Sequence, residues 1–183
     1  MLIAALLTAG ALALQEGGVE AFQPQGFSTI FSVEIAAPPE TVFDAATGDI
    51  TGWWDHSFAL EPAELVIEPR LGGRFYERLR EGSEDGALHA TVIYVDAPTA
   101  LRLHGPLGLS GRSIDLVASW QLSPVGDDAT EFQVQLNMTG QLDADTAQLV
   151  LATWQHFIIG RLKPYVEAGC YLAPEARCAA WDE

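Results

Sequence analysis

The chain is 183 residues long, which is one domain of ordinary size. Lys and Arg number 9 against 25 for Asp and Glu, and the resulting net charge of −16 is repelled by phosphate backbones and by anionic lipid headgroups, which excludes nucleic acid as a partner. The acidity reads as solvation of a soluble surface and carries no catalytic meaning.

Met1 to Leu14 contain no charged side chain and are rich in Leu, Ile and Ala, and the chain turns polar at Gln15-Glu16-Gly17-Gly18. A run this short cannot cross a bilayer core that needs about 20 helical residues, and Ala9-Gly10-Ala11 or Ala11-Leu12-Ala13 supplies the small-x-small pattern of a cleavage site. Residues 1–14 therefore read as an export signal and 15–26 as a linker. The mature protein is expected in the periplasm or outside the cell, beginning near Gln15, with no stable membrane insertion.

Along the next segment Phe27, Phe31, Val33 and Ile35 recur at period two, which predicts a half-buried strand. Pro38-Pro39 stops it, and Pro39 opens a short helix carrying Val42, Phe43 and Ala46 on one face. A loop between Gly48 and Phe58 holds Trp53-Trp54-Asp55-His56. Short β segments follow at about 64–68, 73–80, 87–95, 100–105, 113–123 and 129–139, separated by turns such as Gly72-Gly73, Ala97-Pro98 and Gly126-Asp127-Asp128. In the last of them Phe132, Val134, Leu136 and Met138 alternate with Glu131, Gln133, Gln135 and Asn137, so one sheet face is buried and the other is wet.

A helix of about 24 residues closes the fold, opened by the capping spacing Asp145-Thr146-Ala147-Gln148 and ended near Gly169. Leu151, Trp154, Ile158, Leu162 and Tyr165 form its apolar stripe. Pro164 should kink it at Gly160, the carbonyl four residues back. The fold class is α+β, with a curved antiparallel sheet of about seven strands wrapped around the long helix. Cys170 and Cys178, eight positions apart in the tail of residues 170–183, read as a local disulfide that pins the tail.

The order strand, helix, Trp-Trp loop, Gly-Gly hairpin, further strands and long helix resembles the START-like SRPBCC superfamily over residues 27–169. It is nearest the branch similar to the heat-shock-protein ATPase activator C-terminal domain. The segments that carry the resemblance are Val33 to Phe43, Trp53-Trp54, Glu68-Pro69-Arg70-Leu71-Gly72-Gly73-Arg74-Phe75, Tyr94-Val95-Asp96-Ala97-Pro98 with Leu101, and Leu162-Lys163-Pro164-Tyr165. The resemblance implies a helix-grip fold with a hydrophobic cavity between sheet and helix and no required cofactor.

The residues expected at that cavity are Trp53, Trp54, Phe75, Glu77, Leu101, Trp120, Phe132, Trp154 and Ile158. Parity places Phe75 and Glu77 on the same face, and an inward carboxylate would need a hydrogen-bond partner; otherwise strand twist takes it to solvent. Asp55 and His56 stand at the entrance, whereas His89 and His104 fall on the outer face by parity, and His156 lies off the helix stripe. No metal-ligand spacing joins them. A Gly-x-Ser-x-Gly elbow is absent, and Gly72-Gly73 leads into a strand rather than a phosphate-binding helix.

The leading reading is a noncatalytic binder or carrier of a small hydrophobic molecule. Two alternatives remain. One is a cyclase or dehydratase using Glu77, or Asp55 with His56, in the same cavity; the other is a chaperone-accessory module meeting a protein partner through the outer sheet face.

Overall fold

The computed structural model describes residues 18–173 and Cys178; the expected export signal and its cleavage point lie outside the described residues. Strand β1 spans Gln25–Ile35, helix α1 Pro39–Ala46, and then come β2 Gly48–Asp49, β3 Glu64–Ile67, β4 Arg74–Arg78, β5 Gly86–Asp96, β6 Ala100–Gly105, β7 Ile114–Val125 and β8 Ala129–Gly140. The long helix follows as α2 Ala144–Gln155, a π-helical segment His156–Leu162, and α3 Lys163–Glu167. The sheet has eight strands rather than seven, all antiparallel neighbours, in the order β1-β8-β7-β6-β5-β4-β3-β2. The added strand is the two-residue β2, too short for periodicity to reveal.

Period-two patterning decides which sheet face is inside. On β8 Phe132, Val134, Leu136 and Met138 are buried while Glu131, Gln133, Gln135 and Asn137 point away, so the expected half-wet sheet is present. From the helix, Val150, Trp154, Phe157, Ile158, Leu162, Tyr165 and Val166 are buried against that face. No helix among the described residues is long and apolar enough to cross a membrane.

Two details of the long helix differ from expectation. Its N-cap is Asp143, whose Oδ1 accepts the Thr146 N–H at 2.8 Å, so capping begins two residues before Asp145. Around Gly160, where a kink is expected, the helix widens: the Lys163 N–H bonds to the Ile158 carbonyl, five residues back. Pro164 cannot donate and crowds an α-helical turn, and a wider turn just before it relieves that conflict.

Widening also changes which side chains share a face. In an α-helix, at 3.6 residues per turn, positions five apart lie about 140° from each other. The i→i+5 register brings His156 and Arg161 toward one side. After α3 the chain turns at Gly169, which has φ 71°, and Cys170 is disulfide-bonded to the buried Cys178.

Candidate functional site

A cavity of about 300 Å³ lies between the long helix and one end of the sheet. Trp54, His56, Ser57 and Phe58 from the loop after β2 close one side, Phe75 of β4 and His89 of β5 form the sheet wall, and Leu107, Gly108 and Leu109 come from the β6–β7 loop. Thr146, Leu149, Val150, Thr153, Trp154 and Phe157 form the helix wall.

The adjacent tryptophans separate as a turn requires. Trp53 is buried, its Nε1–H donating to the Ala45 carbonyl at 3.0 Å, and it anchors the loop beneath α1. Trp54 lies at the cavity, stacked on Phe157 with ring centroids 3.8 Å apart and edge-on to Phe75 and Trp154 at 5.1 and 5.9 Å.

Of the nine residues expected at the cavity, Trp54, Phe75 and Trp154 line it. Trp53, Glu77, Leu101, Trp120, Phe132 and Ile158 are buried but do not. Leu101, Trp120, Phe132 and Ile158 belong to a packed region further along the sheet, where Trp120 meets Phe132 edge-on at 5.4 Å and fills the space against Trp154 at 6.4 Å. A single inward face thus supports both solid core and cavity, and parity cannot tell them apart.

Glu77 is inward, as its parity with Phe75 requires, and only 1% exposed; strand twist does not carry it to solvent. Its carboxylate accepts a hydrogen bond from the Ser57 hydroxyl and from the Phe58 N–H at 3.1 and 3.2 Å. Ser57 Oγ in turn accepts from the Ala59 N–H at 3.0 Å. The carboxylate therefore fastens the end of the Trp loop against the sheet.

His89 corrects the outer-face expectation. Phe75 pairs with Ala90 and Tyr76 with Leu88, so His89 is the extra residue of a β-bulge. One inserted residue breaks alternation and turns the imidazole inward beside Ala90, leaving it 8% exposed on the cavity wall. Gly105 permits the close approach of β6 at this point, since a Cβ there would lie 2.5 Å from the His89 carbonyl oxygen. That carbonyl accepts the N–H of Leu107, a residue held at φ 45° on the cavity wall.

The His89 ring lies between Phe58 at 5.8 Å and Phe75 at 4.8 Å. Its Nε2 is 3.6 Å from Glu77 Oε1, beyond hydrogen-bond length. Burial holds its pKa below the ordinary imidazole value, with the Glu77 carboxylate opposing the shift. The result is a neutral imidazole on an otherwise largely apolar wall.

At the entrance the π segment meets the Trp loop through one carboxylate. Asp55 takes His56 Nδ1 at 2.8 Å, His156 Nε2 at 2.9 Å and the Arg161 Nε–H at 2.7 Å. Burial raises the Asp55 pKa, but hydrogen bonds from His156, His56 and Arg161 outweigh it and the net shift is downward. His156 is thus an anchor for the loop rather than an isolated surface histidine. Donor atoms of Asp55, His56 and His156 lie within 4.8 Å of one another, a juxtaposition that sequence spacing did not reveal, with the Arg161 guanidinium on the same carboxylate. On the outer face, His104 pairs with Asp115 at 2.6 Å, as parity placed it.

Residues 28–167 match the model of a family described as polyketide cyclase / dehydrase and lipid transport. No curated protein matches the chain. Among solved structures it is similar to a protein of unknown function, SA2116, from Staphylococcus aureus, at 8% identity and a TM-score of 0.60, covering 82% of this chain and 98% of that one. It is similar to a Rhodobacter sphaeroides protein at 21% identity and a TM-score of 0.54, covering 80% and 93%. CalU16 from Micromonospora echinospora is 19% identical, with a TM-score of 0.53 and 85% of each chain covered. At these identities the likeness is one of fold.

Proposed function

The chain belongs to the polyketide cyclase / dehydrase and lipid transport family, and from that premise we propose that it binds a small hydrophobic molecule carrying one hydrogen-bonding group. The observation that carries this reading is the cavity of about 300 Å³ between helix and sheet, apolar on most of its wall, with the His89 imidazole as a buried polar group able to orient a ligand. Burying about 250 Å² of apolar ligand surface gives a gross gain of about 6 kcal/mol, before the cost of immobilising the ligand. A hydrogen bond to His89 would add both affinity and orientation.

A role as carrier in an oxidising compartment is supported by the Cys170–Cys178 disulfide. The resemblance to the branch of heat-shock-protein ATPase activator domains suggests a protein partner on the outer face of the sheet. We favour the cavity because its apolar walls and its buried imidazole are features that a partner-binding outer face does not require. Native mass spectrometry of protein purified from its own host tests the reading. A co-purifying apolar molecule lost on Thr153→Phe, which fills the cavity from the helix wall, is expected; identical ligand retention by both proteins would place the ligand elsewhere.

A further inference from the structure

Asp55 and His156, 101 positions apart in the chain, meet where the Trp loop crosses the long helix, and His56 joins them. The two carboxylate oxygens are used differently. Oδ1 faces both imidazoles, with His56 Nδ1 at 2.8 Å and His156 Nε2 at 3.0 Å. Oδ2 takes two nitrogens of the Arg161 guanidinium, each at 2.7 Å, and lies 2.9 Å from His156 Nε2. The Arg161 ion pair by itself fastens the loop to the helix, so two imidazole nitrogens converging on the other oxygen are more than that task needs.

We propose that Asp55 Oδ1, His56 Nδ1 and His156 Nε2 form a binding site for a divalent transition-metal ion of the zinc class, with Arg161 holding the carboxylate by its other oxygen. Such a site does not depend on what occupies the cavity.

Two imidazoles and one carboxylate suit zinc and its first-row neighbours, whereas calcium and magnesium take oxygen ligands. Metal–ligand bonds of about 2.0–2.2 Å put ligand atoms roughly 3–3.5 Å apart. The three donor atoms already lie within 4.8 Å of one another, and the His56 and His156 side chains, 58% and 41% exposed, have room to turn. Each imidazole offers a lone pair to the ion by carrying its proton on the other nitrogen, Nε2 of His56 and Nδ1 of His156. Asp55 and His56 stand on irregular backbone between β2 and β3, where sequence neighbours are not turned to opposite faces as they are in a strand. His156 opens the π segment, a departure from α-helical winding that recurs at functional sites.

Ligating carboxylates are themselves held by hydrogen bonds, and Arg161 supplies these. Its positive charge opposes that of the ion, so affinity should fall short of a closed four-ligand site, while the net charge of −16 on the chain draws cations in. Three protein ligands leave a coordination position for water or for an oxygen donor. Because His56 also lines the cavity, the ion would stand at its mouth, bridging loop and helix.

The test titrates the full chain, purified without a polyhistidine tag, with Zn²⁺ by calorimetry and with Co²⁺ by visible absorption. One Zn²⁺ per chain, visible d–d bands from Co²⁺ and much weaker binding of Ca²⁺ are expected. His56→Gln and His156→Gln, on separate elements, should each weaken Zn²⁺ binding about 10-fold or more. His104→Gln, which removes the outer-face imidazole beside Asp115, should leave it unchanged. Circular dichroism checks that each variant is folded, and the loop variant His56→Gln decides the question if the helix variant is not. Absence of Zn²⁺ binding, equal affinity for Ca²⁺, loss on His104→Gln, or full retention by a folded His56 or His156 variant would each overturn the site.

Discussion

The long helix meets the sheet in two different ways. Toward β6, β7 and β8, the side chains of Ile158, Leu101, Trp120 and Phe132 fill the interface, each at most 2% exposed. Toward β4 and β5 the same layers stand apart around a cavity between Trp54, Phe75, His89 and Trp154. Composition does not distinguish the two regions, since both are walled by aromatic and aliphatic residues. What separates them is the backbone: the Trp loop is tied across the open end by Glu77 and Asp55, so its side chains bridge helix and sheet rather than collapse between them.

This contrast is tested most strongly on the packed side, where Phe132→Ala should cost about 3–5 kcal/mol in chemical denaturation, because a dense region cannot close over the lost ring. Next in size is the loop fastening. Glu77→Ala removes the acceptor of the Ser57 hydroxyl and the Phe58 N–H and should cost about 1–3 kcal/mol while loosening binding of an apolar probe. Full retention of stability would show that the loop is held by other contacts.

A matched pair then compares the regions directly. Ile158→Trp adds volume where none is free and should cost about 1–3 kcal/mol, leaving probe binding in place. Thr153→Phe adds volume at the cavity wall and should cost less than about 1 kcal/mol while abolishing probe binding. Equal penalties for the two substitutions would mean that the interface is uniformly packed.

The smallest effect is electrostatic. Burial lowers the His89 pKa from 6.5, so as the pH falls the unfolded chain takes up a proton before the folded one. The stability contribution of the neutral imidazole is complete above the unfolded value and is lost as pH falls below it toward the folded value. His89→Phe should flatten that part of the stability profile. Asp55 acts in a lower window: its lowered pKa contributes stability above the unfolded carboxylate value that is lost as pH falls through the folded one. The Asp55 slope should persist in the His89 variant.

Most of the fold was legible because it follows periodicity. The alternation of Phe132, Val134, Leu136 and Met138 gave both the strand and its buried face, and the parity of Phe75 with Glu77 left open an inward carboxylate or one twisted to solvent, of which the first is found. The site was less legible for the same reason. The bulge at His89 inserts one residue into the count, so a parity argument assigns the imidazole to the wrong face. The π segment does the same on the helix, drawing together His156 and Arg161, which α-helical spacing keeps apart. Phe157, adjacent to Ile158 and outside the predicted stripe, enters the cavity wall from this segment. In each case a side chain at or beside the cavity is brought there where the regular period is broken.

The central claim is that the helix–sheet interface is hollow at its β4–β5 end and packed around Leu101, Trp120, Phe132 and Ile158. Titrating the labelled protein with the neutral apolar fluorophore N-phenyl-1-naphthylamine and following side-chain NMR signals tests it most directly. Saturable shifts confined to Trp54, Phe75, His89 and Trp154, with Leu101, Phe132 and Ile158 unmoved, are the result expected from this structure. Shifts centred on Leu101, Phe132 and Ile158, or none that saturate, would contradict it.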